Sequence, residues 1–283
     1  MSFERAHDRL RTVLGERDGE NPDDPLSVQA MPLVLHVPHD PRPSRRALLE
    51  AAAVACVSLC LDDRAGAEYG VSGDTDGSDV ARALVSWYGA RIRKVARRAR
   101  NKKWADVQSL PGVTAAVDGA EARAFAPCPV VHTPAAVNRL QIEGTDLPLP
   151  DDAEGVTVGD DHPVIYVDAS LRMTVGKAAA QVAHGSMLLA AAMDRERARR
   201  WREEGFPLHV CEVDARRFAE RRALAETREV GDDGAGDASG TGAAVVRDAG
   251  YTEVAPGSVT VVALDRHRPR LTPGRPRSAG SQQ

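Results

Sequence analysis

Aromatic side chains are scarce in this sequence, since phenylalanine, tyrosine and tryptophan together make up 4% of its 283 residues. We therefore expect a core of small and branched side chains with few aromatic anchors. Cysteine is also scarce, and the four cysteines contain no C-x-x-C pair: Cys56, Cys60, Cys128 and Cys211. This spacing favours buried, reduced thiols over disulfides, and it predicts no metal site.

Long apolar runs are missing as well. The longest, from Ala47 to Leu61, is about fifteen residues and contains Glu50, so it is too short to span a bilayer and predicts a buried helix. The first residues are polar and acidic, without the basic segment and apolar run of a secretory signal. We expect a cytoplasmic protein with no membrane partner.

Charge is segregated along the chain. The formal net charge of −4 argues against a chain that binds nucleic acid over its whole surface. Residues 31–145 nevertheless carry +3 and residues 266–283 carry +5, whereas residues 146–161 carry −6. A polyanionic partner would therefore meet a local basic patch, because screening limits each charge to about 10 Å at ordinary salt.

Composition divides the chain into two domains. Residues 1–30, the acidic connector 146–161 and the basic tail 266–283 are predicted to be disordered, and residues 231–242 form a Gly/Asp/Ser loop. Between them lie residues 31–145, here called the first half, and residues 162–265, the second half, each of ordinary domain size.

Strands and helices alternate along the second half. Strands are predicted at 164–167, 207–213, 243–247 and 258–264, and helices at 176–193, 194–204 and 214–226. This order predicts an α/β domain, with a mixed sheet of about four strands and helices packed on it.

The first half repeats this order, with spacings near 130 residues between several counterparts, such as Asp118 and Asp248. We predict an internal duplication; the alternative is two α/β domains that merely look alike. In the register that we propose, the counterparts of Lys177, Gln181 and His184 are Arg45, Leu49 and Ala52. The first half would then be a degenerate, non-catalytic copy.

One helix of the second half carries a polar stripe on an otherwise apolar sequence. Lys177, Gln181 and His184 are spaced i, i+4 and i+7, which places them on one face of the helix. One alternative is that this face is solvated, or that the histidine lies in the core with its hydrogen bonds made. The other is that the face belongs to a functional site. The lack of other polar residues on this helix favours the functional site.

Two separated segments resemble the signatures of type-2 peptidyl-tRNA hydrolases. LRMTVGKAAAQVAH at 171–184 is similar to the first, D-L-x-M-x-x-G-K-x-A-A-Q-x-x-H-A, and VRDAGYTEVAPGSVTV at 246–261 is similar to the second, x-D-A-G-x-T-Q-I-x-x-G-T-x-T-V. The resemblance implies an α/β domain that usually pairs as a dimer. It also implies hydrolysis of the ester between a peptide and the 3′ end of tRNA, without metal or cofactor.

The resemblance also implies site residues. It assigns the catalytic positions to Lys177, His184, Asp248 and Thr252, and the substrate-binding positions to Gln181, Ser258 and Thr260. Ester hydrolysis needs an activated water and donors for the oxyanion. His184 or Asp248 would activate the water, and Lys177 would stabilise the oxyanion or hold the terminal phosphate. The chain departs from the signatures at Asp168, Ser170, Gly185 and Glu253.

The first half contains a dense basic run, RIRKVARRARNKK, at residues 91–103. It is either a solvated face or a contact surface for tRNA phosphates, and the predicted contacts are Arg91, Arg93, Lys94, Arg97, Arg98, Lys102 and Lys103. Three flanking aromatic residues would stack on bases or belong to the core: Trp87, Tyr88 and Trp104.

We therefore expect a peptidyl-tRNA hydrolase whose substrate is peptidyl-tRNA. The alternatives are a non-catalytic tRNA- or RNA-binding protein that has kept this fold and, with less support, an unrelated hydrolase of small acyl esters. If the two halves pair with each other, the protein is a monomer with an internal pseudo-dimer; the other expectation is a homodimer.

Overall fold

The computed structural model describes the chain except for residue 1 and residues 17–18, 22, 69–74, 143, 145–146, 150–160, 230–240, 251 and 267–283. Most of the predicted connector, the Gly/Asp/Ser loop and the basic tail lie outside the described residues. No helix within the described part is long and apolar enough to cross a membrane.

Two mixed sheets with helices packed on them confirm the predicted α/β class. The first sheet contains β1 (Gln29–His36), β2 (Lys94–Ala99), β3 (Gly112–Val117), β4 (Ala120–Phe125) and β5 (Cys128–Pro129). The second contains β6 (Val164–Asp168), β7 (His209–Val213), β8 (Ala243–Arg247) and β9 (Val259–Leu264). The helices are α1 (Ser2–Arg11), α2 (Arg45–Cys60), α3 (Thr75–Tyr88), α4 (Asn101–Gln108), α5 (Ala135–Asn138), α6 (Val175–Ala192), α7 (Arg195–Glu203) and α8 (Ala215–Glu229).

The two sheets have the same topology. The first has the order β2-β1-β4-β3 and the second the order β7-β6-β9-β8, so both read 2-1-4-3 in local chain order. Along each of these orders the first two strands of the chain pair in parallel and the other two pairs are antiparallel. The first sheet has in addition the short strand β5, which pairs antiparallel with β1. A duplication requires this likeness of order and direction; the duplication itself stays a prediction.

The two longest helices lie side by side between the sheets. α2 contacts α6 along its length, and each helix also contacts one strand of the opposite half, α6 against β2 and α2 against β7. Buried bonds join the halves here: the Arg45 guanidinium pairs with the Glu212 carboxylate at 2.8 Å, and the Ser186 hydroxyl donates to the Ala53 carbonyl at 2.8 Å. The largest group of buried apolar residues includes members of both halves, while the division into domains stays a prediction.

The prediction that residues 1–30 are disordered is wrong for α1. Phe3, Ala6 and Leu10 are buried on one face of this helix. Their i, i+3, i+7 spacing indicates an amphipathic helix, although the segment is polar overall. Arg9 donates to the carbonyls of Ala65 and Ala67 in the first half. The helix also contacts α6 and α7 of the second half, so it joins the two halves.

The helix caps correct the register predicted between the halves. Ser44 caps α2 through the Ala47 N–H, and Thr174 caps α6 through the Lys177 N–H. Ser44 and Thr174 are 130 positions apart, whereas the predicted register uses 132. Aligned by their caps, the helices place Ala47, Ala51 and Val54 opposite the three polar residues of α6, instead of Arg45, Leu49 and Ala52. The corrected register still leaves the first half without a lysine, glutamine or histidine at these positions.

Candidate active site

The candidate site lies at one edge of the second sheet. β6, β7 and β8 run in the same direction, so their carboxyl ends meet at this edge, where α6 begins. Chain reversal after a strand brings polar side chains and a helix N-terminus together, which is where α/β sheets usually bind ligands. Asp248 directly follows β8, and Lys177 lies in the first turn of α6.

Lys177 and Asp248 form an ion pair at the centre of the site. Lys177 Nζ donates to Asp248 Oδ2 at 2.5 Å, and the two side chains are 11% and 8% exposed. Gln181 Nε2 donates to the same oxygen at 2.8 Å, and the buried Thr260 hydroxyl donates to Gln181 Oε1 at 2.6 Å. The structure therefore brings four of the predicted site residues into one network.

The turn after β8 holds the Asp248 carboxylate in place. The Gly250 N–H donates to Oδ1 at 2.8 Å, the Asp248 N–H donates to the Ser258 carbonyl at 2.9 Å, and the Gly257 N–H donates to the Asp248 carbonyl at 2.7 Å. Gly250 has φ +79°, and a Cβ there would lie 2.5 Å from Pro256. Only glycine suits this position, because it fits both the left-handed backbone and the close approach. The predicted substrate-binding residue Ser258 contributes its backbone to this turn.

Glu253 fastens the same turn to α6, which the sequence did not reveal. Its carboxylate accepts from the Thr174 N–H at 2.8 Å and from the Thr174 hydroxyl at 2.7 Å. The Thr174 oxygen in turn accepts from the Lys177 N–H at 3.2 Å. Glu253 is one of the departures from the family signature, and here its charge lies at the positive end of a helix.

The two other predicted catalytic residues lie outside this network. His184 is half-buried two turns further along α6, and the hydrogen bonds to Asp248 from the described residues come from Lys177, Gln181 and Gly250. Thr252 is exposed on the turn beside Glu253.

The three other departures have local structural reasons. At Gly185, a Cβ would lie 2.9 Å from Val261 Cγ1, so glycine lets α6 lie close to β9. Asp168 accepts from both the N–H and the hydroxyl of Ser170, at 3.0 and 2.6 Å, and caps the short 3-10 helix Ala169–Leu171. The Asp168 carboxylate and the two donors of Ser170 therefore pair with each other.

Many cations of the basic run have partners within the protein. Arg93 pairs with Glu20, Arg97 donates to the carbonyls of Asn138 and Leu140, and Lys102 pairs with Asp106. Lys94 donates to Met187 of α6, and Arg98 to Gln141. Arg91 and Lys103 are exposed, and the predicted contact of the run with tRNA phosphates stays a prediction.

The flanking aromatic residues belong to the core. Trp87 and Tyr88 are fully buried, and Trp104 stacks on His36 with 4.7 Å between the ring centroids. Of the two alternatives for Trp87 and Tyr88, the structure therefore supports membership of the core and excludes stacking on bases.

The described residues contain no cluster of three or more histidine, cysteine, aspartate or glutamate side chains that could hold a metal ion. The functional groups that the structure gathers at this edge are an ammonium, a carboxylate, an amide and a hydroxyl. These groups can together hold a water and donate hydrogen bonds to an anionic oxygen.

Comparison with known proteins gives concordant matches for the second half. The family model described as Peptidyl-tRNA hydrolase PTH2 matches residues 162–269. A peptidyl-tRNA hydrolase of Thermococcus onnurineus is 31% identical over 105 residues, which cover 36% of this chain and 80% of that protein. The peptidyl-tRNA hydrolase of Haloquadratum walsbyi is 33% identical over 100 residues, covering 35% and 80%. That of Halobacterium salinarum is 32% identical over 101 residues, covering 36% and 81%.

Proposed function

Because the chain belongs, through residues 162–269, to the peptidyl-tRNA hydrolase PTH2 family, we propose that it hydrolyses the ester between a peptide and the 3′ end of tRNA. The observation that carries this proposal is the nearly buried pair of Lys177 and Asp248 at the carboxyl edge of the sheet. A lysine and an aspartate held in one place supply both of the groups that metal-free ester hydrolysis needs.

Asp248 is the group that activates water in this proposal. A carboxylate has about four acceptor positions. Its Oδ2 accepts from Lys177 and Gln181, and its Oδ1 accepts from the Gly250 N–H. The remaining position on Oδ1 can accept a hydrogen bond from water, which places a nucleophile beside the ammonium. The Asp248 carboxylate is kept in one orientation by the Gly250 N–H on Oδ1 and by Gln181 on Oδ2. Gln181 is itself held by the Thr260 hydroxyl.

Lys177 stabilises the charge that develops on the substrate. One of its three N–H donors points to Asp248, and the others can reach the carbonyl oxygen of a bound ester. Water attacks the carbonyl carbon as Asp248 takes its proton, and Lys177 donates to the oxyanion of the tetrahedral intermediate. The bond from carbon to the ribose oxygen then breaks, and the proton passes to that oxygen, which gives free peptide and tRNA.

The test is release of peptide from a purified N-acetyl-aminoacyl-tRNA. Asp248→Asn keeps the shape of the side chain and removes the base, so we expect kcat to fall by about 10²-fold or more. Asp118→Asn is a matched control, since Asp118 directly follows the third strand of the first half and is exposed in a left-handed turn that asparagine tolerates. Its kcat should stay within about twofold of the wild-type value.

The same assay separates the alternative function. If the wild-type protein binds the substrate tightly and releases no peptide, the chain is a tRNA-binding protein that has kept the fold. Equal loss of activity in Asp248→Asn and Asp118→Asn would remove the case for Asp248 as the base.

A further inference from the structure

A cavity of about 370 Å³ lies beside the candidate active site, at the same edge of the second sheet. It is lined by the end of β6, the segment that leads into α6, and the end of β7. Thr174 belongs to both places, because it lines the cavity and its hydroxyl oxygen accepts from the Lys177 N–H. Thr174 therefore connects the cavity to the first turn of α6, which carries Lys177.

Both halves of the chain build this cavity. Its Arg45 belongs to the first half and donates to Glu212 at 2.8 and 2.9 Å and to the Met173 carbonyl at 2.9 Å. Leu147 and Leu149, from the segment between the halves, form another part of the wall. The second half alone would leave the cavity open on this side.

The walls combine apolar side chains with a balanced set of charges. The apolar lining consists of Leu147, Leu149, Val167, Ala169, Met173 and Val175. The charged lining consists of two cations, Arg45 and Arg172, and two anions, Asp168 and Glu212. Arg45 and Glu212 are buried and bonded to each other, and Asp168 accepts from Ser170.

This chemistry disfavours a phosphate in the cavity. A polyanion requires a surplus of available cations, whereas the two cations here are balanced by two carboxylates. Glu253 adds a third carboxylate nearby, on the N-terminus of α6, where it occupies the backbone donor of Thr174. An uncharged apolar group of a few carbon atoms suits the walls, and the volume lies in the range of pockets that bind small molecules.

We propose that this cavity binds the side chain of the residue whose carboxyl group is esterified to tRNA, and that it favours large aliphatic side chains. The inference rests on the proposed function, because it takes the ester to lie at Lys177 and Asp248. The peptide is the apolar part of such a substrate, and the side chain next to the ester is the part that lies closest to Thr174. The first half is then a specificity element of the site, although it has none of the catalytic residues.

Leu149 provides the test, since it lines the cavity and is 45% exposed, so its truncation spares the buried core. The measurement is the ratio of kcat/KM for N-acetyl-leucyl-tRNA to kcat/KM for N-acetyl-glycyl-tRNA. We expect a ratio above one in the wild-type protein and a fall of about tenfold in Leu149→Ala, as a lost apolar contact typically gives. Leu26→Ala is the matched control, because Leu26 is 52% exposed and does not line the cavity; it should keep the wild-type ratio.

An unchanged ratio in Leu149→Ala, or an equal fall in Leu26→Ala, overturns the assignment of the cavity. A wild-type protein that hydrolyses neither substrate overturns the proposed function instead. In that case NMR titration with N-acetyl-leucinamide decides about the cavity. Binding that exceeds that of N-acetyl-glycinamide and weakens in Leu149→Ala sustains the aliphatic site, and no such difference refutes it.

Discussion

The ion pair between Arg45 and Glu212 predicts how strongly the two halves depend on each other. Its nitrogen and oxygen atoms are 2.8 Å apart, both side chains are more than nine-tenths buried, and each belongs to a different half. In Arg45→Met the apolar part of the side chain is kept, but Glu212 is left as a buried carboxylate without its cation. Such a loss costs about 3–5 kcal/mol of unfolding free energy. The Met173 carbonyl also loses its donor, which adds about 1 kcal/mol.

The assay is equilibrium unfolding in urea, followed through tryptophan fluorescence and far-UV circular dichroism, with the slope checked for constancy between variants. Arg216→Met is a matched control, because Arg216 forms an ion pair with Glu220 on the surface, where the two side chains are 77% and 55% exposed. Such a pair contributes about 0.3–0.5 kcal/mol. The double variant Arg45→Met/Glu212→Met should be more stable than Arg45→Met, since it no longer contains an unpaired buried charge.

Two results would refute the reasoning. The first is a destabilisation of less than about 1 kcal/mol in Arg45→Met, comparable to that of a surface pair. The second is additivity in the double variant, because independent costs would show that the two side chains do not interact.

Three further predictions concern other parts of the molecule. Burial lowers the pKa of His7 from 6.5, and its Nε2 lies 3.0 Å from the Ala190 carbonyl. The neutral histidine therefore costs no stability above about pH 6.5, and the unfolding free energy falls as the pH drops below that value. Urea unfolding between pH 7 and 5 should show this loss in the wild type and a smaller one in His7→Gln, and equal slopes would contradict it. Lys103→Ala should flatten the salt dependence of tRNA binding by about one unit if its exposed ammonium contacts a phosphate, and an unchanged slope leaves it a solvated side chain. Glu253→Gln should lower the unfolding free energy by about 0.3–1 kcal/mol, since a negative charge leaves the N-terminus of α6. The same loss of negative charge should lower KM for peptidyl-tRNA, which is a polyanion. A higher KM would show that the hydrogen bonds of Glu253 to Thr174 matter more than the charge of Glu253.

Local patterns predicted the parts of the fold that rest on short-range signals. The stripe of Lys177 and Gln181 on an otherwise apolar helix is visible in the sequence, and the structure places both residues on Asp248. The helices predicted at 194–204 and 214–226 also begin close to the expected positions, directly after Asp194 and Asp214, whose side chains cap them. Capping and periodicity act over a few residues, so they can be read without knowing the tertiary structure.

Other elements depend on packing that no local pattern shows. β4 has the sequence AEARAF, in which alanine has a low preference for strands, and its place between β1 and β3 comes from the sheet. Arg45 and Glu212 are 167 positions apart, so only the docking of the halves brings them together. The basic run illustrates the same limit, because its charge density does not reveal that Arg97 is bonded to the Asn138 and Leu140 carbonyls.

The packing of α2 against α6 has a consequence for behaviour at low concentration. When two protomers cover such a helix face, dilution separates them, and their stability depends on protein concentration. Here both helices belong to one polypeptide, so the docking of the halves is a first-order process whose equilibrium does not change with the number of molecules present. The wall that Arg45, Leu147 and Leu149 provide beside Thr174 therefore persists in a single isolated molecule.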